Sequence, residues 1–446
     1  MSDVQRADAV YEKLLARAGE AWVEPRLDRT AKLLDYLDNP QRTYRVVHVT
    51  GTNGKTSTSR MIESLIRAHG LRTGLFTSPH LVRFTERILI DGKPISDERV
   101  AEAWDEIEPF LPIVDAELEA DGQNPMTFFE LMTVLAFVAC ADAPVDVLVL
   151  EVGMGGAWDS TNTADGDVAV IAPIAMDHAA RLGNTPEEIA EVKAGIIKQG
   201  AHVVSAHQEP GVAAVLRRVA QEKGAQIAFA GDQFALTSAK LAVGGQLVEI
   251  RGLAGAYDEE YLPLYGRHQG ENLALAVAAV ESLIGGGTQK IADDVRTEGF
   301  ANATSPGRLQ LIGTDPTVIV DAAHNPHGAT SLAAALQEYF DFEEWGVVFG
   351  AMRDKDIAGT IEQLLPITTH LFATSAESER SATEDEVADA AEQFGLHPTV
   401  HPNIVDATDA AREWAAEGEK RAIVIAGSIV LGGEAIALAR AEGWKK

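Results

Sequence analysis

Residues 44–57 constrain the fold more than any other stretch. The β-branched, apolar run Tyr44–Val49 leads into Gly51-Thr52-Asn53-Gly54-Lys55-Thr56-Ser57, and an amphipathic stretch, Lys55–Ala68, follows at once. A strand that turns through glycines into a helix points backbone N–H groups into the turn. The positive end of the helix dipole falls at the same place, so the turn is suited to phosphate. Lys55 is then placed to reach the β- and γ-phosphates of ATP, and the hydroxyl of Thr56 or Ser57 to face magnesium. The general pattern has a glycine five residues before Gly54, where this chain has Val49. A glycine-rich turn that only caps a helix is the plain structural alternative.

The strand-turn-helix alternation recurs. Thr73–Phe76 reads as a second strand, and Val145–Val152 is a near-continuous apolar run, as expected of a strand covered on both faces. Asp167–Ile174 and His202–Ala206 read the same way, and Pro210–Lys223 has the apolar spacing of a helix. This order predicts an α/β fold with a parallel, doubly wound sheet. Between Phe229 and Leu262 the character changes: Leu241–Leu253 alternates around Gly244-Gly245, which predicts a small antiparallel patch before a helix over Asn272–Ile284. Near Ser305-Pro306-Gly307 the chain begins again, with short apolar strands at Thr317–Val320, Trp345–Phe349, His370–Thr374 and Ala422–Ile425. The 446 residues suit two domains. We expect a parallel-sheet, P-loop ATPase-like domain over residues 1–303 and a smaller Rossmann-like α/β domain over 304–446.

With 37 Lys plus Arg against 67 Asp plus Glu, the net charge is −30. Nucleic acid and anionic membranes reward positive charge, so neither is expected as a partner. No apolar run approaches the roughly 20 residues of a membrane span. The polar start of the chain is unlike a secretory signal, and the single cysteine, Cys140, sits in an apolar run and fits a reducing cytoplasm. The acids are dispersed, as on a solvated surface in a salt-rich cell interior, where screening relieves self-repulsion. That halophilic expectation predicts that activity and melting temperature do not both fall as KCl rises from dilute to molar.

The loop spelling Thr50-Gly51-Thr52-Asn53-Gly54-Lys55 resembles the Mur ligase superfamily. Three more segments narrow the resemblance to its folate branch, the folylpolyglutamate synthases and dihydrofolate synthases. They are Ser78-Pro79-His80-Leu81 with the residues around it, Glu151-Val152-Gly153-Met154-Gly155-Gly156 ending in Asp159-Ser160-Thr161-Asn162, and Asp321-Ala322-Ala323-His324-Asn325-Pro326. The resemblance covers residues from about 25 to 434. It implies a ligase that uses ATP to turn a carboxylate into an acyl phosphate, which the amine of L-glutamate then attacks. The implied acceptors are dihydropteroate, the γ-carboxylate of folate, or both, and the implied state is a monomer. Folylpolyglutamate synthase activity alone, another Mur-type amino-acid ligase and a non-catalytic nucleotide-binding regulator are the alternatives.

By the same resemblance Ser78, Glu151 and His178 are magnesium ligands. Lys193, in Lys193-Ala194-Gly195-Ile196, is the family lysine that is often carbamylated and can then hold a second magnesium. Asn272, Arg308 and Asp321 contact the nucleotide, and His324 and Ser428 bind incoming glutamate. Arg83, Phe84, Thr127 and Phe129 belong to the acceptor side, with the two phenylalanines stacking on a ring. Lys55, Lys193 and His324 are the candidate catalytic residues. Each has a structural alternative: a strand-end histidine for His178, a helix lysine for Lys193, a helix cap for Asn272, a surface ion pair for Arg308, a turn for Ser428 and core packing for Phe84 and Phe129. The sequence departs from the family at Ala157-Trp158, where Arg-Leu is common, and at Val192, where Glu is common.

Overall fold

The structure, a computed structural model, describes residues 2–19 and 24–445. Its first sheet contains β1 (Arg45–Thr50), β2 (Thr73–Phe76), β3 (Ile88–Ile90), β4 (Lys93–Pro94), β5 (Val147–Glu151), β6 (Val168–Ile171), β7 (His202–Ser205) and β8 (Gln226–Phe229). They lie side by side in the order β4-β3-β2-β5-β1-β6-β7-β8. The predicted parallel sheet is present from β2 through β8, and β3 and β4 extend one edge as an antiparallel hairpin.

The central strands are buried on both faces because their side chains alternate between two apolar layers. Val47 and Val49 pack with Met61, Ile62 and Leu65 of the helix Lys55–Ala68. Val46, Leu148 and Leu150 pack with the helix Phe128–Asp142. That helix is apolar all round, as a fully buried helix must be, and Cys140 lies within it. It starts at a reciprocal cap: Thr127 N–H donates to Glu130 (2.7 Å) and Glu130 N–H to Thr127 Oγ1 (3.4 Å). The strand pattern gave no sign of the helices Asp3–Leu15, Asp28–Tyr36, Asp97–Ile107 and Leu111–Ala120 that cover this layer.

The predicted antiparallel patch is three strands, β9 (Ala235–Ala242), β10 (Gly245–Arg251) and β11 (Ala256–Leu262), with β10 in the middle. It packs on a helix that spans Arg267–Gly285, five residues earlier than the expected start at Asn272. The polar first turn, Arg267-His268-Gln269-Gly270, hides this start from the apolar periodicity. Asn272 is therefore inside the helix and not its cap.

The last sheet contains β12 (Gln310–Thr314), β13 (Thr317–Val320), β14 (Glu344–Phe349), β15 (Thr368–Ala373), β16 (Thr399–Val400) and β17 (Arg421–Ala426). Its order is β12-β13-β17-β14-β15-β16, with β12 antiparallel and the rest parallel. Helices cover both faces. This body meets the first through polar contacts. Asn325 Nδ2 donates to Asn53 Oδ1 (3.2 Å), Asn53 Nδ2 lies 2.9 Å from His327 Nδ1, and the Ser57 and Ser305 hydroxyls are 2.7 Å apart. The loop around Leu81 also docks there. A Cβ on Gly433 would lie 1.9 Å from the Leu81 carbonyl oxygen, so only glycine permits the approach. Among the described residues no helix is long and apolar enough to cross a membrane.

Candidate active site

In an open α/β sheet, ligands bind outside the carboxyl ends of strands where the strand order reverses. Here that point is β1, with β5 on one side and β6 on the other. A cavity of about 960 Å³ opens there, between the two bodies. Residues 51–57 form its floor, and the C-terminal body closes it with Arg308, Asp321, His324, Lys355 and Ser428.

The loop has the geometry its spelling predicts. Gly54 has φ +82°, and a Cβ there would lie 2.6 Å from Asn272 Oδ1. Glycine is thus needed twice, for the left-handed turn and for the close approach of Asn272. Lys55 Nζ donates to the Gly51 (3.1 Å) and Thr52 (3.3 Å) carbonyls of its own loop, and burial lowers its pKa. The Thr56 hydroxyl lies 2.9 and 3.0 Å from the two Glu151 oxygens. Ser57 points the other way, to Ser305, so of the two hydroxyls Thr56 faces the carboxylate.

Glu151 ends β5 and is 1% exposed. Burial pushes its carboxyl up to about 7, against the opposing pull of Lys55, the Thr56 hydroxyl and the Ser78 backbone amide. Lys193 is 4% exposed and donates to the Gly51 carbonyl at 2.8 Å. Burial, with Lys55 nearby, brings its amine down to about 7. His178 adopts φ +50°, a strained conformation for a non-glycine residue. Burial lowers its imidazole to about 4. Asp177 joins the two bodies: its Oδ1 accepts from Lys355 Nζ (2.8 Å) and its Oδ2 is 3.9 Å from His324 Nε2. Burial would raise the Asp177 carboxyl, but His324 and Lys355 outweigh it and hold it well below the usual range.

The Mur ligase middle domain family matches residues 49–280, and the Mur ligase glutamate ligase domain family matches 307–429. A dihydrofolate synthase/folylpolyglutamate synthase of Mycobacterium tuberculosis is 42% identical over 439 residues, covering 93% of this chain and 90% of that one. The chain belongs to the dihydrofolate synthase/folylpolyglutamate synthase family. A structure of Mycobacterium tuberculosis folylpolyglutamate synthase complexed with ADP matches with a TM-score of 0.93 and 41% identity, covering 98% of this chain and 99% of that chain. An Escherichia coli member in complex with DHPP and ADP matches with a TM-score of 0.82 and 30% identity, covering 94% of each chain.

In this family member most of the sequence-derived candidates share the one cavity. Ser78, Thr127, Phe129, Glu151, His178, Lys193, Asn272, Arg308, Asp321, His324 and Ser428 all line it. Two do not. Arg83 is on the surface, paired with Asp97 at 2.8 Å, and Phe84 is 4% exposed, stacked on Tyr11 with centroids 4.7 Å apart. Both correct the acceptor-side expectation: the family segment folds so that Phe84 enters the core beneath the N-terminal helix. Ser428 both lines the cavity and caps the helix Ile429–Ala441, accepting from Val430 N–H at 3.1 Å. Asp321 is held by the Leu309 and Ala323 amides at 2.9 and 2.8 Å. The Arg308 guanidinium makes no hydrogen bond or ion pair among the described residues, which leaves its donors for a ligand.

Ala157 is exposed and does not line the cavity, whereas Trp158 does. Sequence reasoning missed Lys355 and Asp177 as a pair, and Arg29, which is fully buried between Glu24 and Glu130, each 3.0 Å away. No local spacing signals these, because Lys355 and Asp177 lie 178 residues apart in the chain.

Proposed function

We propose that this chain is an ATP-dependent ligase that joins L-glutamate to dihydropteroate, and further glutamate to the γ-carboxylate of a folate. The observation that carries the reading is the Thr56–Glu151 contact, at 2.9 and 3.0 Å, which places the phosphate loop against a buried carboxylate. Phosphoryl transfer needs a positioned triphosphate and neutralised charge more than a protein nucleophile.

The sheet order divides the cavity around β1. Ala206, His207, Ala230, Gly231 and Leu236, from β7 onward, form a flank of mostly small residues that suits a flat base. Ser78, Phe129, Glu151 and Trp158, around β2 and β5, form the other. Glu151 ends β5 on this second flank, so the γ-phosphate faces it and the acceptor acid belongs there. An acceptor carboxylate oxygen attacks the γ-phosphorus, forming an O–P bond as the bond to ADP breaks. Lys55 and Arg308 face the charge on the transferring group, Arg308 from the C-terminal body once it closes. The glutamate amine then attacks the acyl carbon, phosphate leaves, and the amine gives up a proton. His324 donates through Nδ1 to the Ala322 carbonyl (2.9 Å), and its Nε2 stands 3.9 Å from Asp177 Oδ2, on the side where glutamate would enter.

The residues present fit magnesium. Glu151 is a buried carboxylate that burial pushes up to about 7, so a bound cation would favour its charged form, and Thr56, Ser78 and His178 stand around the same cavity. Bound there, magnesium would neutralise the β- and γ-phosphates. Lys193, with an amine near 7, is available in its neutral form to take up carbon dioxide, and the resulting carbamate would hold a second magnesium. We place the join between the two domains at about residue 304.

The test is turnover by purified protein with ATP, magnesium and L-glutamate. ADP release dependent on dihydropteroate, and separately on tetrahydrofolate, with glutamylated products by mass spectrometry, is the expected result. Product from tetrahydrofolate alone would restrict the chain to polyglutamylation. No ADP release with either acceptor would refute the reading.

A further inference from the structure

We propose that Leu81 is a positioning residue, which seats in the C-terminal body and fixes where Arg308 stands against the transferring phosphate. The proposal goes beyond the ligase reading above and rests on the role that reading gives to Arg308.

Arg308 is carried by a tightly specified turn. Gly307 has φ +69° and Leu309 φ +44°, so the residues on both sides of Arg308 are left-handed. For leucine that conformation is strained and persists only where the surroundings dictate it. Leu309 N–H donates to Asp321 (2.9 Å), Ala322 N–H to the Gly307 carbonyl (2.8 Å), and Gly307 N–H to Gln310 (2.8 Å). These bonds fix the turn within its own body, and the Arg308 charge is felt by both Lys55 and Glu151. The distance from Arg308 to the phosphate loop is set instead by contacts between the two bodies.

Leu81 supplies such a contact. With Val82 it leaves the first body and packs against the C-terminal cluster that includes Val320, Leu431 and Ala435. A Cβ on Gly307 would lie 3.0 Å from Leu81 Cδ2, and one on Gly433 would lie 1.9 Å from the Leu81 carbonyl oxygen. Leu81 is thus wedged between the residue that precedes Arg308 and the helix Ile429–Ala441, whose cap is Ser428. The Ser57–Ser305 contact holds the start of the Arg308 turn, and Leu81 holds its far side.

The segment that carries Leu81 is itself held firmly in the first body. Glu86 accepts from the Leu81 (3.0 Å) and Val82 (3.1 Å) amides, Arg87 Nε donates to His80 Nδ1 (2.9 Å), and Thr77 N–H donates to the Arg87 carbonyl (2.9 Å). Ser78, three residues before Leu81, lines the cavity, and its amide bonds to Glu151. One short, braced segment therefore runs from Glu151 to the Arg308 turn. Losing the Leu81 side chain frees that turn to shift, and a shift of about 1 Å at a reacting group costs on the order of 100-fold in rate. ADP lacks the phosphate that Arg308 meets, so ADP binding should not depend on Leu81.

The experiment uses the full chain and the variants L81A, L81M, G433A, R308A and L81A/R308A. Turnover is measured with dihydropteroate and with tetrahydrofolate, ADP affinity by calorimetry, and folding by melting temperature. We expect L81A to lower kcat at least about tenfold with both acceptors, while ADP affinity stays within about twofold of the parent. L81M should recover most of the loss, because it refills the socket. G433A should reproduce the loss by pushing the Leu81 carbonyl away, and it reads the same displacement if L81A folds poorly. The double variant gives a readout that a packing role would not move. In the R308A background L81A should cost less than about a further twofold, because Leu81 acts through Arg308. An unchanged kcat in L81A or G433A, a fall in ADP affinity that matches the fall in kcat, or full additivity with R308A would overturn the proposal while an active parent left the ligase reading standing. A parent inactive with both acceptors would remove both.

Discussion

Lys193→Met should give a protein that is more stable and much less active. The amine is 4% exposed, and burial brings it from 10.5 down to about 7. In the unfolded chain it keeps its proton to about 10.4. Between pH 7 and 10.5 the unfolded state therefore binds a proton that the folded state has released, so stability rises with pH across that window. At and below pH 7 the full cost of the buried charge is felt: a gap of about 3.5 units corresponds to roughly 4–5 kcal/mol. Methionine removes that cost and also loses the hydrogen bond to the Gly51 carbonyl, worth about 1 kcal/mol. The net expectation at pH 7 is a gain of roughly 3 kcal/mol, shrinking as pH rises. Urea denaturation in carbon dioxide-free buffer from pH 6.5 to 9.5 measures it. Adding bicarbonate should stabilise the parent and leave the variant unchanged, because only a neutral amine can form the carbamate. If the parent shows no rise in stability with pH and the variant gains nothing in stripped buffer, the argument from burial is wrong. If bicarbonate changes neither stability nor turnover, Lys193 acts as a plain amine.

Arg308→Ala should lower kcat by about 100-fold or more, the scale of losing a charge-assisted contact to the transferring phosphoryl group; because the guanidinium has no hydrogen-bond or ion-pair partner among the described residues, the melting temperature should not fall, and a kcat within about threefold of the parent would show that it never reaches the phosphate. Gly54→Ala forces a Cβ onto Asn272 at a φ of +82°, so the ATP KM should rise at least about tenfold, and unaltered nucleotide binding by calorimetry would mean that the loop does not grip the triphosphate. Arg83→Ala removes surface ion pairs to Asp97 and Asp8 and should change stability by less than about 1 kcal/mol, with both acceptor KM values unaffected; a selective rise in either would return Arg83 to the acceptor site.

The elements legible in the sequence are those whose function is local. Gly51–Ser57 must be a strand-turn-helix to offer its amides, so spelling and geometry coincide, and the helix begins at Lys55 as predicted. The parallel strands were visible because burial on both faces leaves near-continuous apolar runs such as β5. Periodicity failed where polar residues occupy a helix start, as at Arg267–Gly270, and where residues of one family segment diverge in space. Ser78 reaches the cavity while Phe84, six positions on, is core.

The sequence by itself determined the chemistry available: a phosphate loop, a carboxylate at a strand end, and a histidine motif in a second α/β unit. Tertiary structure decided which groups share a cavity and in what charge state. Asp177 meets Lys355 and His324 across the two bodies, and Glu151 and Lys193 are moved toward neutrality by burial. Proximity across more than a hundred residues and the loss of surrounding water are properties of the folded chain, and no local pattern of residue types encodes either.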